Sequence, residues 1–130
     1  MRILGIDYGT KKIGLAFGDS VVGVAVPLDV VPNAGQQTID VFAKKVQVED
    51  IDAIVVGVPL SQGEHHSSVQ LDKTRAFIEA LKQVVKVPIH EVDEAYTTSE
   101  SIRLQKEEGS QAGEDALAAM LIVQAFIDHL

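Results

Sequence analysis

The chain has 130 residues, 46% of them hydrophobic, and no cysteine; this suffices for one domain over residues 1–130, burying about two thirds of its unfolded surface, and excludes disulfides and thiolate metal sites. Its apolar runs fall short of the ~20 residues of a membrane span, and its start lacks the apolar core and cleavage site of a secretory signal, so a cytoplasmic protein without membrane contact is expected. Eleven Lys and Arg against 19 Asp and Glu give a formal net charge of -8, which disfavours broad sequence-independent binding of nucleic acid but admits an enzyme whose carboxylates recruit divalent cations, because bound metal inverts the local field.

The apolar run Ile3 to Ile6 predicts a strand with little polar face, continued by Asp7. An ionised carboxylate there is costly unless a cation compensates it. Ile13 to Asp19 predicts a second strand returning antiparallel, with Gly9 and the polar residues after it as the hairpin connection. Val21 to Val31 predicts a third strand, bounded by Asp19-Ser20 and by the break Pro32-Asn33-Ala34-Gly35. Ile39, Phe42, Ala43 and Val46 recur at helical spacing, so a helix is expected from Gln36 to about Val48. The run Ile51 to Val58 suits a buried parallel strand ended by Gly57-Val58-Pro59, and residues 61–68 form a polar loop, the segment expected to be mobile.

Thr74, Phe77, Ile78, Leu81 and Val85 share one face of a helix expected over 68–84. Val87 to Val92 returns as a strand and delivers Asp93-Glu94 at its far end. Thr97 and Glu100 fit a capping box, predicting a helix that stops near Gly109. Glu114 to Leu130 closes the chain as a helix with Leu117, Met120, Leu121, Gln124 and Ile127 along one side and alanines between them. This order of elements describes one α/β domain, a mixed sheet covered by helices.

Three acids stand apart from the solvated charges: Asp7 at the end of the first strand, Glu94 after the last strand, and Asp115 in the first turn of the last helix. Parallel strands joined by crossovers release their carboxyl ends on one rim, where ligands bind. Asp7 and Glu94 can share that rim, and Asp115 can join them if the last helix packs against it. Clustered carboxylates repel one another, which Mg²⁺ or Mn²⁺ would resolve. Two such ions can activate a water against a phosphodiester and stabilise the leaving oxygen, which points to metal-assisted hydrolysis of nucleic acid.

Each acid also has a plainer account. Asp7 can serve the hairpin turn, Glu94 can be an exposed loop acid, and Asp115 suits the dipole of its helix. Gly9, Thr10, Lys11 and Lys12 are either the solvated tip of a hairpin or a place for a substrate phosphate beside Asp7. His65 and His66 are adjacent, a spacing poor for one metal, and read as surface residues; His90 and His129 carry no partner pattern. Gly57, Gly63 and Gly109 read as punctuation, although Gly57-Val58-Pro59 could also hold a strand end open beside a substrate.

The blocks DYGTKKIGLAFGD (7–19), VVGVPLSQG (55–63), DEAYTTSES (93–101) and EDALAAMLIVQAFIDHL (114–130) together resemble the YqgF/RuvX family of small ribonuclease H-like proteins. Its members are described as Holliday junction resolvases and as nucleases that mature the 5′ end of 16S ribosomal RNA. The resemblance spans nearly the whole chain. It implies a five-stranded mixed sheet, three antiparallel strands then two parallel, with the first strand between the two sets and helices on both faces. It also implies that Asp7, Glu94 and Asp115 are the catalytic acids that bind Mg²⁺ or Mn²⁺. The implied partner is nucleic acid, pre-rRNA within a ribosomal precursor or branched DNA, met by a monomer or a homodimer.

Two positions depart from the family pattern. Ala95 stands where an arginine usually follows the glutamate, and residues 107–114 are acidic where a basic cluster is usual; both remove positive charge from the expected substrate side. A non-catalytic module docking on ribosomal precursors is therefore a second reading, its acidic surface suited to a basic partner. A third is suggested by Asp7-Tyr8-Gly9-Thr10, which also looks like the first phosphate-binding hairpin of the sugar kinase, chaperone and actin ATPase group, whose members need two such domains.

Overall fold

Alternation along the strands sorts large side chains to one face of the sheet and small ones to the other. The computed structural model describes residues 1–60, 67–94 and 113–130. In chain order the elements are β1 (Arg2–Asp7), β2 (Lys12–Asp19), β3 (Val24–Pro32), α1 (Gln36–Val48), β4 (Ala53–Val58), α2 (Ser67–Lys82), β5 (Ile89–Asp93) and α3 (Glu114–Asp128). The sheet order is β3-β2-β1-β4-β5, with β1 antiparallel to β2, β2 antiparallel to β3, and β1, β4 and β5 mutually parallel. The five-stranded mixed sheet with β1 at its centre is the arrangement that the family resemblance implies. The helix expected over 97–109, Ala95, His65, His66, Gly63 and residues 107–112 lie outside the described residues, as does most of the loop expected over 61–68.

Leu4, Ile6, Ile13, Leu15, Ile54, Val56 and Val58 form the large-residue face, buried against Ile39, Phe42 and Val46 of α1 and Phe77, Ile78 and Leu81 of α2. Tyr8 continues this face, its ring 4.7 Å from that of Phe77. The opposite face carries Ile3 and Gly5 on β1, Gly14, Ala16 and Gly18 on β2, and Ala53, Val55 and Gly57 on β4. Here α3 packs through Ala119, Ile122 and Val123.

The packing of α3 requires those small residues. A methyl group at Gly5 would overlap Val123, one at Gly18 would overlap Val123, one at Gly57 would overlap Ile122, and one at Gly14 would overlap the backbone carbonyl oxygen of Asp115. Gly57 is thus a packing residue inside β4, paired with Val92, rather than a break in the chain. The buried stripe of α3 also differs from the one expected. Leu117 is buried as expected, but the rest of the buried surface is Ala116, Ala118, Ala119, Ile122 and Val123, while Met120, Leu121, Gln124 and Ile127 are only half-buried. A helix apolar on most sides gives periodicity little to choose from, and alanines win the sheet-facing side because the sheet beneath them is glycine and alanine.

Several boundaries shift: β4 begins at Ala53 rather than Ile51, β5 spans Ile89–Asp93 rather than Val87 to Val92, and α3 ends at Asp128 rather than Leu130. β3 begins at Val24, not Val21, because residues 20–23 form the turn, with Gly23 at φ 82° and its N–H donating to the Asp19 carbonyl at 2.7 Å. Val21 and Val22 are accordingly exposed. Gln124 of α3 clasps this turn, accepting from the Ala25 N–H at 3.0 Å and donating to the Gly23 carbonyl at 3.1 Å. α2 ends at Lys82, so Val85 packs on the core from beyond the helix. β3 forms one edge of the sheet; it carries Pro27, its register with β2 shifts between Leu15 and Ala16, and the Asp29 carboxylate accepts from the N–H of Val30 at 2.8 Å.

The nature of each overlap sets its consequence. Gly57 meets the movable end of an isoleucine, whereas Gly14 meets backbone. Gly14→Ala is expected to destabilise the protein by about 2–3 kcal/mol and Gly57→Ala by less than about 1 kcal/mol, as read from urea unfolding midpoints. Equal losses would contradict the backbone contact at Gly14.

Candidate metal and phosphate site

β1, β4 and β5 are parallel, so Asp7, Val58 and Asp93 mark carboxyl ends on a single rim. Asp7 follows Ile3 and Gly5 on the face that α3 covers. On β5 the same face takes His90 and Val92, the partners of Val55 and Gly57; the His90 ring lies 4.9 Å from that of Phe126 in α3. Glu94 comes next in this alternation, just past the end of the strand.

Asp115 reaches the rim through the close approach described above. Gly14 is the β2 residue paired with Asp7, and the first turn of α3 rests on it. The three acids expected from the sequence therefore lie on one face at one rim, near enough for their charges to be felt. The Asp7 carboxyl is pushed up to about 7 by burial first, then by the negative charges of Glu94 and Asp115. Glu94 is likewise raised, by burial and then by Asp93. The α3 N-terminus, with Gly113 as its cap and Glu114 and Asp115 in its first turn, supplies the favourable partial positive charge that a helix start offers to acids.

The hairpin tip carries Gly9, Thr10, Lys11 and Lys12. A methyl at Gly9 would overlap the Lys12 carbonyl oxygen, so the tight turn needs glycine. Thr10 and Lys11 are exposed. Lys12 turns to Asp115, its Nζ 3.3 Å from Oδ2. Asn33 braces the turn from the far end of β3, its Nδ2 donating to the Gly9 carbonyl at 2.9 Å and its N–H to the Lys11 carbonyl at 2.9 Å. Sequence reasoning placed Asn33 only in a chain break; its long-range bonds leave no trace in local spacing. Gly14 was also missed, and its signal was the run Gly14, Ala16, Gly18, small at every second position.

The donors are carboxylate oxygens, the hard ligands that suit Mg²⁺ or Mn²⁺, and Asp7 is raised by burial and, after it, by neighbouring negative charge, both of which a divalent cation would offset. Among the described residues no three His, Cys, Asp or Glu side chains close around a single ion. Carboxylate donors of this kind suit ions that keep much of their water and take one or two carboxylates each, as Mg²⁺ commonly does. His90 stacks on Phe126, and His129 Nδ1 lies 2.7 Å from the Ala125 carbonyl oxygen. An apolar cavity of about 280 Å³, lined by Phe17, Val22, Val24, Val26 and Ile51 among others, lies towards the opposite rim, where β1 begins and β2 ends.

A carboxyl raised to about 7 in the folded chain and near 3.8 when unfolded binds more protons folded than unfolded between those values. Its contribution to stability is fully present below about pH 4 and is lost as pH rises through about 7. Asp7→Asn removes the ionisable group. In metal-free buffer the variant is expected to exceed the parent in stability by ~1–3 kcal/mol at pH 8, with the advantage vanishing toward pH 4, as followed by urea unfolding. An advantage that does not change with pH would show that Asp7 carries no such strain.

A family model described as RuvX, Holliday junction resolvase, matches residues 1–129. A curated relative from Koribacter versatilis (strain Ellin345), named "Putative pre-16S rRNA nuclease", is 36% identical over 135 residues, covering 98% of this chain and 87% of the relative. Another of the same name, from Anaeromyxobacter sp. (strain Fw109-5), is 35% identical over 135 residues, with 98% and 97% covered. Among solved structures, Thermus thermophilus RuvC superposes with a TM-score of 0.66 at 14% identity, covering 99% of this chain and 95% of that one. The T. thermophilus RuvC complex with Holliday junction substrate gives 0.65 at 12% identity, with 99% and 94% covered; at these identities the likeness is one of fold, the ribonuclease H-like fold of the resolvases. The match of the family model along almost the full length, with relatives above 30% identity over nearly all of it, places the chain in the Holliday junction resolvase RuvX family.

Proposed function

We propose that the protein is a metal-dependent endonuclease that hydrolyses phosphodiesters of structured RNA, processing the 5′ end of pre-16S rRNA in the cytoplasm. One observation carries the reading: Asp7, Glu94 and Asp115, distant in sequence, come to one rim, and the Asp7 carboxyl is raised by burial first and then by the charge of the other two. RNA is favoured over a four-way DNA junction because the relatives at 35–36% identity bear the rRNA name, whereas the structures solved with junction DNA are related at 12–14% identity and speak for the fold. The domain is taken to be residues 1–130 as a single unit.

Asp7 is the central ligand, fixed by β1 in the middle of the sheet. Glu94 and Asp115 flank it from β5 and α3, and the hairpin tip, Gly9 to Lys12, holds the substrate backbone. Mg²⁺ or Mn²⁺ bound there supplies an activated water and a Lewis acid for the leaving oxygen. Hydrolysis would add water across the bond from phosphorus to the leaving sugar oxygen, the hydroxyl going to phosphorus and the remaining proton to that oxygen, with Asp7, Glu94 and Asp115 holding the ions that favour it. Gly14 keeps Asp115 close to Asp7, and Asn33 keeps the hairpin tip in place beside them.

Asp7→Asn and Glu94→Gln, verified as folded, are expected to lower Mn²⁺-dependent cleavage of a pre-16S 5′-leader RNA at least ~100-fold, as read on sequencing gels. Cleavage at the parental rate would overturn the proposal, and faster cutting of a four-way DNA junction than of the RNA would move the substrate to DNA. Because the Asp7 proton must leave before metal binds, Mn²⁺ affinity is expected to fall about tenfold per pH unit below 7 and to level off above it, measured by calorimetry. A flat profile from pH 5 to 8 would remove Asp7 from the ligand set.

A further inference from the structure

Lys12 lies in the candidate site and already has a partner there. Its Nζ stands 3.3 Å from Asp115 Oδ2, with the lysine side chain 66% exposed and the aspartate 30% exposed. An ion pair this open to solvent is weak and readily exchanged. Its backbone, by contrast, is held: the Lys12 carbonyl packs on Gly9, and Asn33 bonds both Gly9 and Lys11. Only the flexible four-carbon stem is left to move.

Resting on the metal-dependent reading above, we infer that Lys12 is the resident counter-ion of Asp115 in the metal-free protein, gives way to a divalent cation, and then carries its ammonium to a phosphate of the bound RNA. A divalent cation carries twice the charge of the ammonium and competes with it for the same carboxylate, so the solvent-exposed ion pair yields. The ammonium therefore swings off. It stays tethered to the hairpin tip, within a side chain's length of Asp115, where a phosphodiester drawn to the ions would lie. Metal and RNA are then coupled, each strengthening the binding of the other, since the metal frees a phosphate ligand that was engaged elsewhere. The exchange explains how a chain of net charge -8 keeps one of its few cations at an acidic rim: the acid stores the lysine until metal arrives.

The test uses the full chain as parent, Lys12→Met, which keeps the stem without the charge, and Lys11→Met as a measure of the general effect of one lysine at the hairpin tip. Mn²⁺ binding without nucleic acid, followed by calorimetry, is expected to tighten about three- to fivefold in Lys12→Met and less than twofold in Lys11→Met. Affinity for a 20-nucleotide single-stranded RNA, by fluorescence anisotropy, is expected to be equal in parent and Lys12→Met in EDTA, and about threefold weaker in Lys12→Met with Ca²⁺ present. Unchanged or weaker Mn²⁺ binding in Lys12→Met, or an RNA defect of the same size in EDTA and Ca²⁺, would overturn the exchange while leaving the metal site standing. Failure of the parent to bind Mn²⁺ at all would overturn the exchange and the proposed function together.

Discussion

Everything at the rim depends on how closely α3 approaches the sheet. A helix that packed on β1 and β2 across side chains of ordinary size would stand farther out, and its first turn would not rest on Gly14. Glycine and alanine at alternate positions of β1, β2 and β4 let backbone meet backbone, and alanines on α3 answer them. The large residues that strands need for a stable core are not lost; they sit on the other face with α1 and α2. One face of the sheet thus carries much of the core, while the other trades side-chain volume for proximity.

That proximity gathers negative charge where a folded protein gains nothing from it. Asp7 occupies the middle strand of the sheet, where burial and two neighbouring acids oppose its ionisation. Among the described residues, compensation comes from the start of α3 and from the exposed Lys12 on Asp115. Strain of this kind, concentrated in a few groups, is typical of sites kept for a ligand rather than for stability. The acidic total of the chain and the acidic rim are therefore separate matters: the first governs the approach of any polyanion over long range, the second acts at contact through whatever cation it holds.

Much of this was legible in the sequence. The strand ending in Asp7 and the buried run before Gly57 follow from short apolar runs bounded by turn residues, and the stripes of α1 and α2 follow from helical spacing, because one side of each helix faces water. Legibility failed where that contrast is absent. α3 is apolar almost all round, so its leucine and methionine positions outweighed the alanines that in fact face the sheet. Val21 and Val22 look like strand residues by type, but Gly23 with its positive φ turns the chain there and leaves them in solvent. Gly14 and Asn33 act on residues that are distant in sequence or cross the hairpin, and no local pattern encodes a contact whose other half is elsewhere. The sequence allowed the three acids to share a rim, and the pairing of Asp7 with Gly14, on which the first turn of α3 rests, shows how Asp115 comes near Asp7.

The outer strand β3 carries one more consequence. Its Val24, Val26 and Leu28 are exposed at the margin of the sheet, and a β edge of that composition ordinarily invites another chain to add a strand. Pro27 has no N–H to offer, the irregular register bends the ribbon, and the Asp29 carboxylate already holds the N–H of Val30. The margin is greasy but a poor template, so a chain rich in valine resists fibrous self-assembly by backbone chemistry at three neighbouring positions.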